Sequence, residues 1–395
     1  MPMSSEIERR RVADGPHAGV NELLARASLV DHHAHSIVRG ALDRDAFTLM
    51  LTESDRRSAA DAAGMDSQVA FAVRRWCAPL LDLPEHVNAA DYLERRLAMS
   101  NETAAGRLLP HAGVGRMLVD SGFRPDDLLA ADELGRLAGA RTDTIVRLEG
   151  VAERVARGGI PAVGFADAFR SALRAEAVGA VGLKSIIAYR CGLDFDPTRP
   201  SDREVAERAG AWFREIETMG RGRLTDPVLL RFGLWEGAAT GLPLQVHTGY
   251  GDPDLDLHRC DPLLLTDFIR AAEGVCPILL LHTYPFQRHA GYLAQMFPHV
   301  FIDVGLAVTF AGAASTQVVA ESLELAPFTK VLFSSDAWGL PELHLVASWL
   351  FRRAMSRVLG AWVAAGDWSL TDAERVVELV GSGNARRVYG LAEAP

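Results

Sequence analysis

The sequence is short of lysine. Its 41 basic residues comprise 39 arginines and two lysines, Lys184 and Lys330, so guanidinium groups carry nearly all of the positive charge. Arginine stays protonated at any ordinary pH, whereas a buried lysine can lose its proton. A lysine among candidate catalytic residues therefore indicates a role that arginine could not fill. Lys330 precedes its predicted strand, and we expect it on the surface at the far end of the fold.

Long apolar runs, excess positive charge and paired cysteines are also missing. No apolar run approaches the roughly 20 residues of a membrane-spanning helix, and the polar N-terminus does not resemble a signal peptide. A net charge of −10 offers no general attraction to nucleic acid or anionic membranes. The four cysteines are scattered, which is typical of free thiols in a reducing compartment. We therefore expect a cytoplasmic protein that binds a small molecule, with no nucleic-acid or membrane partner.

Eight short segments rich in apolar and β-branched residues are spread along the chain. Most are continuous apolar runs, which is typical of parallel strands covered by helices. Helical patterns separate them, including a capping-box start at Ser201. Strand–helix alternation predicts an α/β protein, and eight strands favour a closed (β/α)8 TIM barrel over an open sheet. The segments are residues 29–32, 116–120, 144–148, 179–184, 244–247, 277–282, 300–304 and 330–336.

The strand segments are unevenly spaced. We interpret residues 1–27 as a polar lead-in with a short helix, and residues 28–395 as the barrel. Residues 40–112 contain helical patterns and no clear strand, which predicts a helical insertion after strand 1 on the catalytic side. Within it, Glu53 and residues 70–80 are candidates for a lid over the site.

The first strand segment ends in a cluster of histidines, Asp31-His32-His33-Ala34-His35. Residues two apart on a strand point to the same side, so His33 and His35 could present two imidazoles to one metal ion. His32 is out of phase with them, and we expect it to point away from the ligands.

Three other strand segments also end in residues of metal-ligand type. His247 and His282 each end an apolar segment, and Asp336 ends the last one. Because strand ends converge at one mouth of a barrel, these residues and the two strand-1 histidines are predicted to share a site. Imidazole and carboxylate ligands favour Zn²⁺, with Mn²⁺ and Fe²⁺ as alternatives, and one or two ions per chain.

Lys184 ends the fourth strand segment. A neutral amine there could be carboxylated by CO₂ and bridge two metal ions. As an ammonium it could instead bind a substrate carboxylate, or form a structural ion pair.

Polar and aromatic residues near these strand ends are candidate substrate contacts. Arg147 and Glu149 alternate on strand 3, where an arginine could bind a carboxylate and a glutamate an ammonium group. That pair would suit a γ-glutamyl amide or another acylated amino acid. The remaining candidates are Tyr189, Arg190, Tyr250, Asp252 and Trp338.

The ordered set of strand-end residues resembles the amidohydrolase superfamily. The segments Lys184-Ser-Ile-Ile-Ala-Tyr-Arg and His247-Thr-Gly-Tyr-Gly-Asp look closest to its amidohydrolase 2 branch, and there to the nodulin/FluG-like domain. The same domain is resembled by two further segments, Leu281-His-Thr-Tyr-Pro-Phe and Asn384-Ala-Arg-Arg-Val-Tyr-Gly-Leu. The resemblance covers about residues 28–392. No glutamine-synthetase-like sequence follows, which indicates the freestanding form.

The resemblance implies a role for each strand-end residue. His33, His35 and His247 match metal ligands, and Asp336 matches the aspartate that contacts the activated water and shuttles its proton. His282 matches a histidine that polarises the scissile carbonyl, or binds a second metal in binuclear members. Lys184 matches the position carboxylated in those members, although many members of this branch use one metal and lack that modification.

Amide hydrolysis is the function that this pattern favours. Two alternatives on the same scaffold remain open, a metal-dependent non-oxidative decarboxylase and a uronate-type isomerase. A barrel that has lost its activity and only binds ligands is a third. Barrels of this type commonly dimerise, so a homo-oligomer is also expected.

Overall fold

Eight parallel strands form one sheet in the computed structural model, which describes residues 16–56, 64–124, 126–220 and 222–392. Each strand pairs with the next one along the chain, in the order β1 to β8. Their bounds are Leu29–Ala34, Val114–Asp120, Arg141–Arg147, Ala180–Ser185, Leu244–Thr248, Ile278–His282, Val300–Asp303 and Val331–Leu332. The predicted (β/α)8 TIM barrel is confirmed. The polar lead-in predicted at residues 1–15 lies outside the described residues.

The last strand meets the first through the segment that follows it. β8 itself is two residues long, but the backbone N–H of Asp336 donates to the carbonyl of His33 at 3.0 Å. The N–H of His32 donates to the carbonyl of Phe333 at 3.2 Å, and that of His35 to Ala337 at 2.9 Å. These bonds close the barrel at the residues predicted to bind metal.

Two apolar layers hold the barrel together. Val30, Leu118, Leu279 and Phe301 form part of a buried cluster inside the ring of strands. A larger cluster, which includes Leu29, packs the outer faces of the strands against the helices. Successive strand residues face opposite sides, so one continuous apolar run supplies both layers.

Helices cover the outside of the barrel. Those between β1 and β2 form the expected insertion and have the bounds Arg44–Leu49, Gln68–Trp76, Ala89–Leu97 and Asn101–Leu108. The others are Ala18–Arg26, Ala131–Ala138, Leu148–Arg157, Phe165–Ala177, Ala188–Cys191, Asp202–Met219, Pro227–Ala238, Thr266–Ala271, Gln287–Met296, Ala307–Ala311, Ser315–Ser322, Pro341–Ala365, Leu370–Glu378 and Asn384–Val388. No helix in the described ranges is both long and apolar enough to span a membrane.

A buried ion pair joins the insertion to the helix Pro341–Ala365. The guanidinium of Arg96 and the carboxylate of Glu342 are both fully buried, with Nε of the arginine 2.5 Å from Oε1 of the glutamate. Nearby, Nδ2 of Asn101 donates to the carbonyls of Val38 at 2.8 Å and Gly339 at 2.7 Å. The insertion is therefore fastened to the loops that follow β1 and β8.

Candidate metal centre

The structure brings the ligand-type residues of β1 and of the segment after β8 together. Nε2 of His33 lies 3.0 Å from Oδ1 of Asp336, and Nε2 of His35 lies 3.5 Å from the same oxygen. One ligand atom from each of these three residues falls within 4.8 Å of the other two. Nε2 of His282 is 3.4 Å from Oδ2 of Asp336. This cluster is a candidate metal centre.

Two of these residues have an unusual backbone conformation. His282 has φ of 70° and Asp336 has φ of 49°, in the left-handed region that residues with a side chain rarely adopt. Such conformations cost of order 1–3 kcal/mol and cluster at functional sites. Here each lies where a strand ends, and the turn directs its side chain to the shared centre.

Hydrogen bonds fix the orientation of both strand-1 histidines. Nδ1 of His33 lies 2.8 Å from Oε1 of Gln245, and Nδ1 of His35 lies 3.3 Å from the carbonyl of Asp120. Because these partners accept, each Nδ1 carries the proton and Nε2 keeps its lone pair for a metal. The sequence analysis overlooked Gln245, although it lies two residues before His247 on β5.

A buried polar layer supports the centre from below. Oδ1 of Asp303 accepts the backbone N–H of His282 at 2.6 Å, and its Oδ2 lies 3.1 Å from Nε2 of His32. Ser334 donates to the same Oδ2 at 2.7 Å. The other ring nitrogen of His32 lies 3.0 Å from the hydroxyl of Tyr389. His32 does not line the cavity, and it is linked to the centre through Asp303 and, by way of Tyr389, through Gln245.

The protonation states suit metal ligands. Burial lowers the pKa of His33 to about 3 and that of His282 to about 4, and lowers the pKa of His247 well below its usual value. Burial raises the pKa of Asp336, but the nearby His282 and the close approach of the strand-1 histidines outweigh it, so the pKa of Asp336 lies well below its usual value. At neutral pH these groups are therefore imidazoles and a carboxylate with free lone pairs.

Lys184 and His247 complete the floor of the site. Nζ of Lys184 lies 3.5 Å from Nε2 of His33, and burial lowers its pKa to about 8. Nε2 of His247 is buried and has no hydrogen-bond partner within the described residues, and its ring lies 4.5 Å from that of His282. An unpaired buried polar atom costs free energy, so the unpaired Nε2 of His247 fits a site that binds an ion.

The centre opens into a cavity of about 560 Å³ at the carboxyl ends of the strands. The ring of Tyr189 packs on that of His247 at 4.4 Å between centroids, and Trp338 meets Phe123 edge-on at 5.4 Å. Gly251 allows this arrangement, because a Cβ there would lie 2.0 Å from the Tyr189 hydroxyl. The cavity is lined by most of the predicted contacts, namely Arg147, Tyr189, Arg190, Asp252 and Trp338.

Two predicted substrate contacts lie elsewhere. Glu149 is not on a strand, because β3 ends at Arg147 and a helix begins at Leu148. Its Oε1 accepts from the Ser185 hydroxyl at 2.7 Å and from the Ile186 N–H at 3.0 Å, so Glu149 holds the end of β4 and does not line the cavity.

Tyr250 is also outside the cavity lining, since its ring packs between Tyr284 and Phe310 at 6.4 and 6.0 Å. Of the predicted lid, Glu53 lines the cavity, whereas residues 70–80 do not.

The arginines that line the cavity differ in how they are paired. Arg147 is committed to Asp120, with Nη2 and Nε at 2.6 and 3.0 Å from the same carboxylate oxygen. Arg190 pairs with Glu153, at 3.3 Å from Nη2. Its Nε and Nη1 are buried and have no hydrogen-bond partner within the described residues, and burial lowers its pKa.

Comparison with known proteins agrees with this geometry. A family model described as amidohydrolase matches residues 148–391. The fluG protein of Emericella nidulans is 31% identical over 312 residues, which cover 72% of this chain and 36% of that protein, so the chain spans about a third of that relative.

Two solved structures are also similar. A Lactobacillus casei protein described as a metal-dependent hydrolase is 29% identical, with 93% of this chain and 96% of that one covered and a TM-score of 0.82. A uronate isomerase from Bacillus halodurans is 14% identical, with 95% and 96% covered and a TM-score of 0.65, which reflects a shared fold. The family match covers more than half of the chain, and the chain belongs to the amidohydrolase family.

Proposed function

We propose that this chain is a metal-dependent hydrolase that cleaves the amide C–N bond of a small substrate, with Asp336 as general base and acid. The observation that carries the proposal is the convergence of unprotonated ligand atoms from four strand ends on one cavity. The amidohydrolase family match and the likeness to a metal-dependent hydrolase support the same reaction class.

The residues present fit a divalent metal. His33, His35, His247 and Asp336 would hold it, and a histidine-rich donor set favours Zn²⁺ over the harder alternatives Mn²⁺ and Fe²⁺. When bound, such an ion supplies an activated water at neutral pH and polarises a carbonyl. Lys184 lies close enough to His33 to serve a second ion after it loses its proton and is carboxylated, with His282 as a further ligand.

Asp336 is placed to move a proton. Its carboxylate is ionised and buried at the floor of the cavity, so it can accept a proton from water and later deliver it to the leaving amine. His282, neutral and 3.4 Å from that carboxylate, lies where it can donate a hydrogen bond to the developing oxyanion.

Arg190 favours a substrate that carries a carboxylate. Its guanidinium lines the cavity with two nitrogens unpaired, whereas Arg147 is already neutralised by Asp120. A charge-assisted pair with a substrate carboxylate would satisfy the unpaired guanidinium. γ-Glutamyl amides and N-acyl amino acids both carry such a group, so we propose them as the substrate classes.

A panel of these amides tests the proposal directly. The metal-loaded protein should release amine, and Asp336→Asn should lower kcat by at least about 100-fold while metal analysis finds the ion retained. Asp267→Asn is a matched control, since it alters an exposed aspartate paired with Arg270 far from the cavity. Full activity of Asp336→Asn would contradict the assigned role.

The same preparation distinguishes the alternative reactions. Release of CO₂ from an aromatic or unsaturated acid would favour a decarboxylase, and conversion of a uronate to its keto isomer would favour an isomerase. About two ions per chain would support the binuclear hydrolase with Lys184 as the bridge.

A further inference from the structure

Glu53 contributes a carboxyl group to the lining of the cavity. It follows the helix Arg44–Leu49 in the insertion and lines the same cavity as Asp336 and His247. Its Oε1 is shielded from solvent and has no hydrogen-bond partner in the part of the chain that the structure describes. A buried acceptor left unpaired costs free energy, so a donor is expected to satisfy it in the working enzyme.

Within the ranges that the structure describes, Glu53 has no ion-pair partner. Burial, together with the nearby carboxylates of Asp336 and Asp252, raises the pKa of Glu53 to about 8. Two of the arginines that line the cavity are engaged with other carboxylates. Arg223 pairs with Asp254 at 2.6 Å, and Arg124 pairs with Asp127 at 2.8 Å.

We propose that Glu53 is a specificity-determining residue that binds a positively charged ammonium group of the substrate. This inference rests on the proposed amide hydrolysis and names the class of substrate more narrowly. An ammonium would give Oε1 its missing donor, and the carboxylate of Asp252 on the facing loop adds to the same negative field. A neutral donor such as a hydroxyl would gain the hydrogen bond but not this charge interaction.

Arg190 and Glu53 then have complementary tasks. Arg190 takes a carboxylate and Glu53 takes an ammonium, while the scissile amide lies over Asp336. The sequence analysis assigned the ammonium to Glu149, which is bonded to β4 instead. The insertion, and not a barrel strand, therefore supplies the charge that selects an amino-acid substrate.

Two anilides that differ in one group test the inference. L-Glutamic acid γ-anilide carries an α-ammonium group, and glutaric acid monoanilide lacks it. With the metal-loaded protein, Glu53→Gln should lower kcat/KM for the first by about 10-fold to 100-fold and leave the second within about 2-fold. Glu94→Gln is the matched control, because it makes the same change at an exposed position of the same insertion, outside the cavity lining, and should leave both values unchanged. An equal fall for both anilides, or no fall for either, would overturn the inference.

Binding to an inactive variant separates this inference from the proposed reaction. Asp336→Asn, titrated calorimetrically with each anilide, should prefer the ammonium-bearing one by about 10-fold or more, and the added change Glu53→Gln should abolish the preference. A preference without hydrolysis by the unaltered protein would refute amide cleavage and leave the role of Glu53 standing. Hydrolysis of both anilides without a preference would support amide cleavage and refute the role of Glu53. Binding of neither anilide would contradict the assignment of Glu53.

Discussion

Replacement of Gln245 by leucine should weaken the binding of a divalent metal by about 10-fold to 100-fold. Oε1 of Gln245 accepts from Nδ1 of His33 at 2.8 Å, and its Nε2 donates to the carbonyl of His32 at 2.8 Å and to the Tyr389 hydroxyl at 2.7 Å. Leucine fills a similar volume but has no acceptor. His33 would lose the partner that keeps Nε2 unprotonated and aimed at the centre.

The same substitution leaves a buried donor unpaired. Nδ1 of His33 would have no acceptor, which costs about 1–3 kcal/mol of unfolding free energy. The Tyr389 hydroxyl keeps His32 as a partner at 3.0 Å, so its loss is smaller. A folded but weakly metal-binding protein is therefore expected.

Competition with a chelator for Zn²⁺ gives the metal affinity, and urea unfolding gives the stability. Gln245→Glu should restore most of the affinity, because a carboxylate also accepts from Nδ1 of His33. Thr248→Val is the control on the same strand, since it removes a buried hydrogen bond to the carbonyl of Leu281 at 2.8 Å but leaves the hydrogen bond between Gln245 and His33 in place. If folded Gln245→Leu held Zn²⁺ as tightly as the unaltered protein, the reasoning would be refuted.

Three further changes have defined outcomes. Arg96→Ala should lower the unfolding free energy by about 3–5 kcal/mol, because it leaves the buried carboxylate of Glu342 without its cation. In the same urea titration, replacement of the exposed Arg95 by alanine should lower it by less than about 1 kcal/mol. Gly251→Ala should reduce kcat/KM, since its Cβ would lie 2.0 Å from the Tyr189 hydroxyl, and Tyr189→Phe should restore part of the loss. Burial lowers the pKa of His344 to about 3, so the unfolded chain binds the extra proton below pH 6.5 and stability falls as pH falls. Between pH 6.5 and 5 that loss is about 2 kcal/mol, and His344→Leu should be less acid-sensitive by that amount.

The fold followed from the sequence because buried parallel strands leave a clear signature. Each strand faces the barrel interior on one side and helices on the other, so segments such as Leu279 to Leu281 are apolar throughout. The change from apolar to polar residues at His247 and His282 marked the strand ends. Once eight such ends were assigned to one barrel, their convergence was a geometric consequence.

The wrong assignments arose where the chain changes direction. The two-residue period that placed Arg147 and Glu149 on one face holds only within a strand, and a helix begins at Leu148. Tyr250 lies in a loop, where no period predicts the direction of a side chain. Gln245 escaped notice because an amide in an apolar strand carries no ligand signal, and its role depends on the long-range contact with His33.

The candidate centre sits astride the seam at which the ring of strands is joined. His33 and Asp336 belong to opposite ends of the chain, yet a backbone bond of 3.0 Å and a side-chain contact of 3.0 Å link them. A bound ion would link the first and last strands across that seam. Its removal should therefore lower the stability of the whole barrel as well as abolish the activity. The family model matches residues 148–391, which begin after both strand-1 histidines. Expressed alone, these residues would form an open sheet that lacks the first strand and two of the proposed metal ligands.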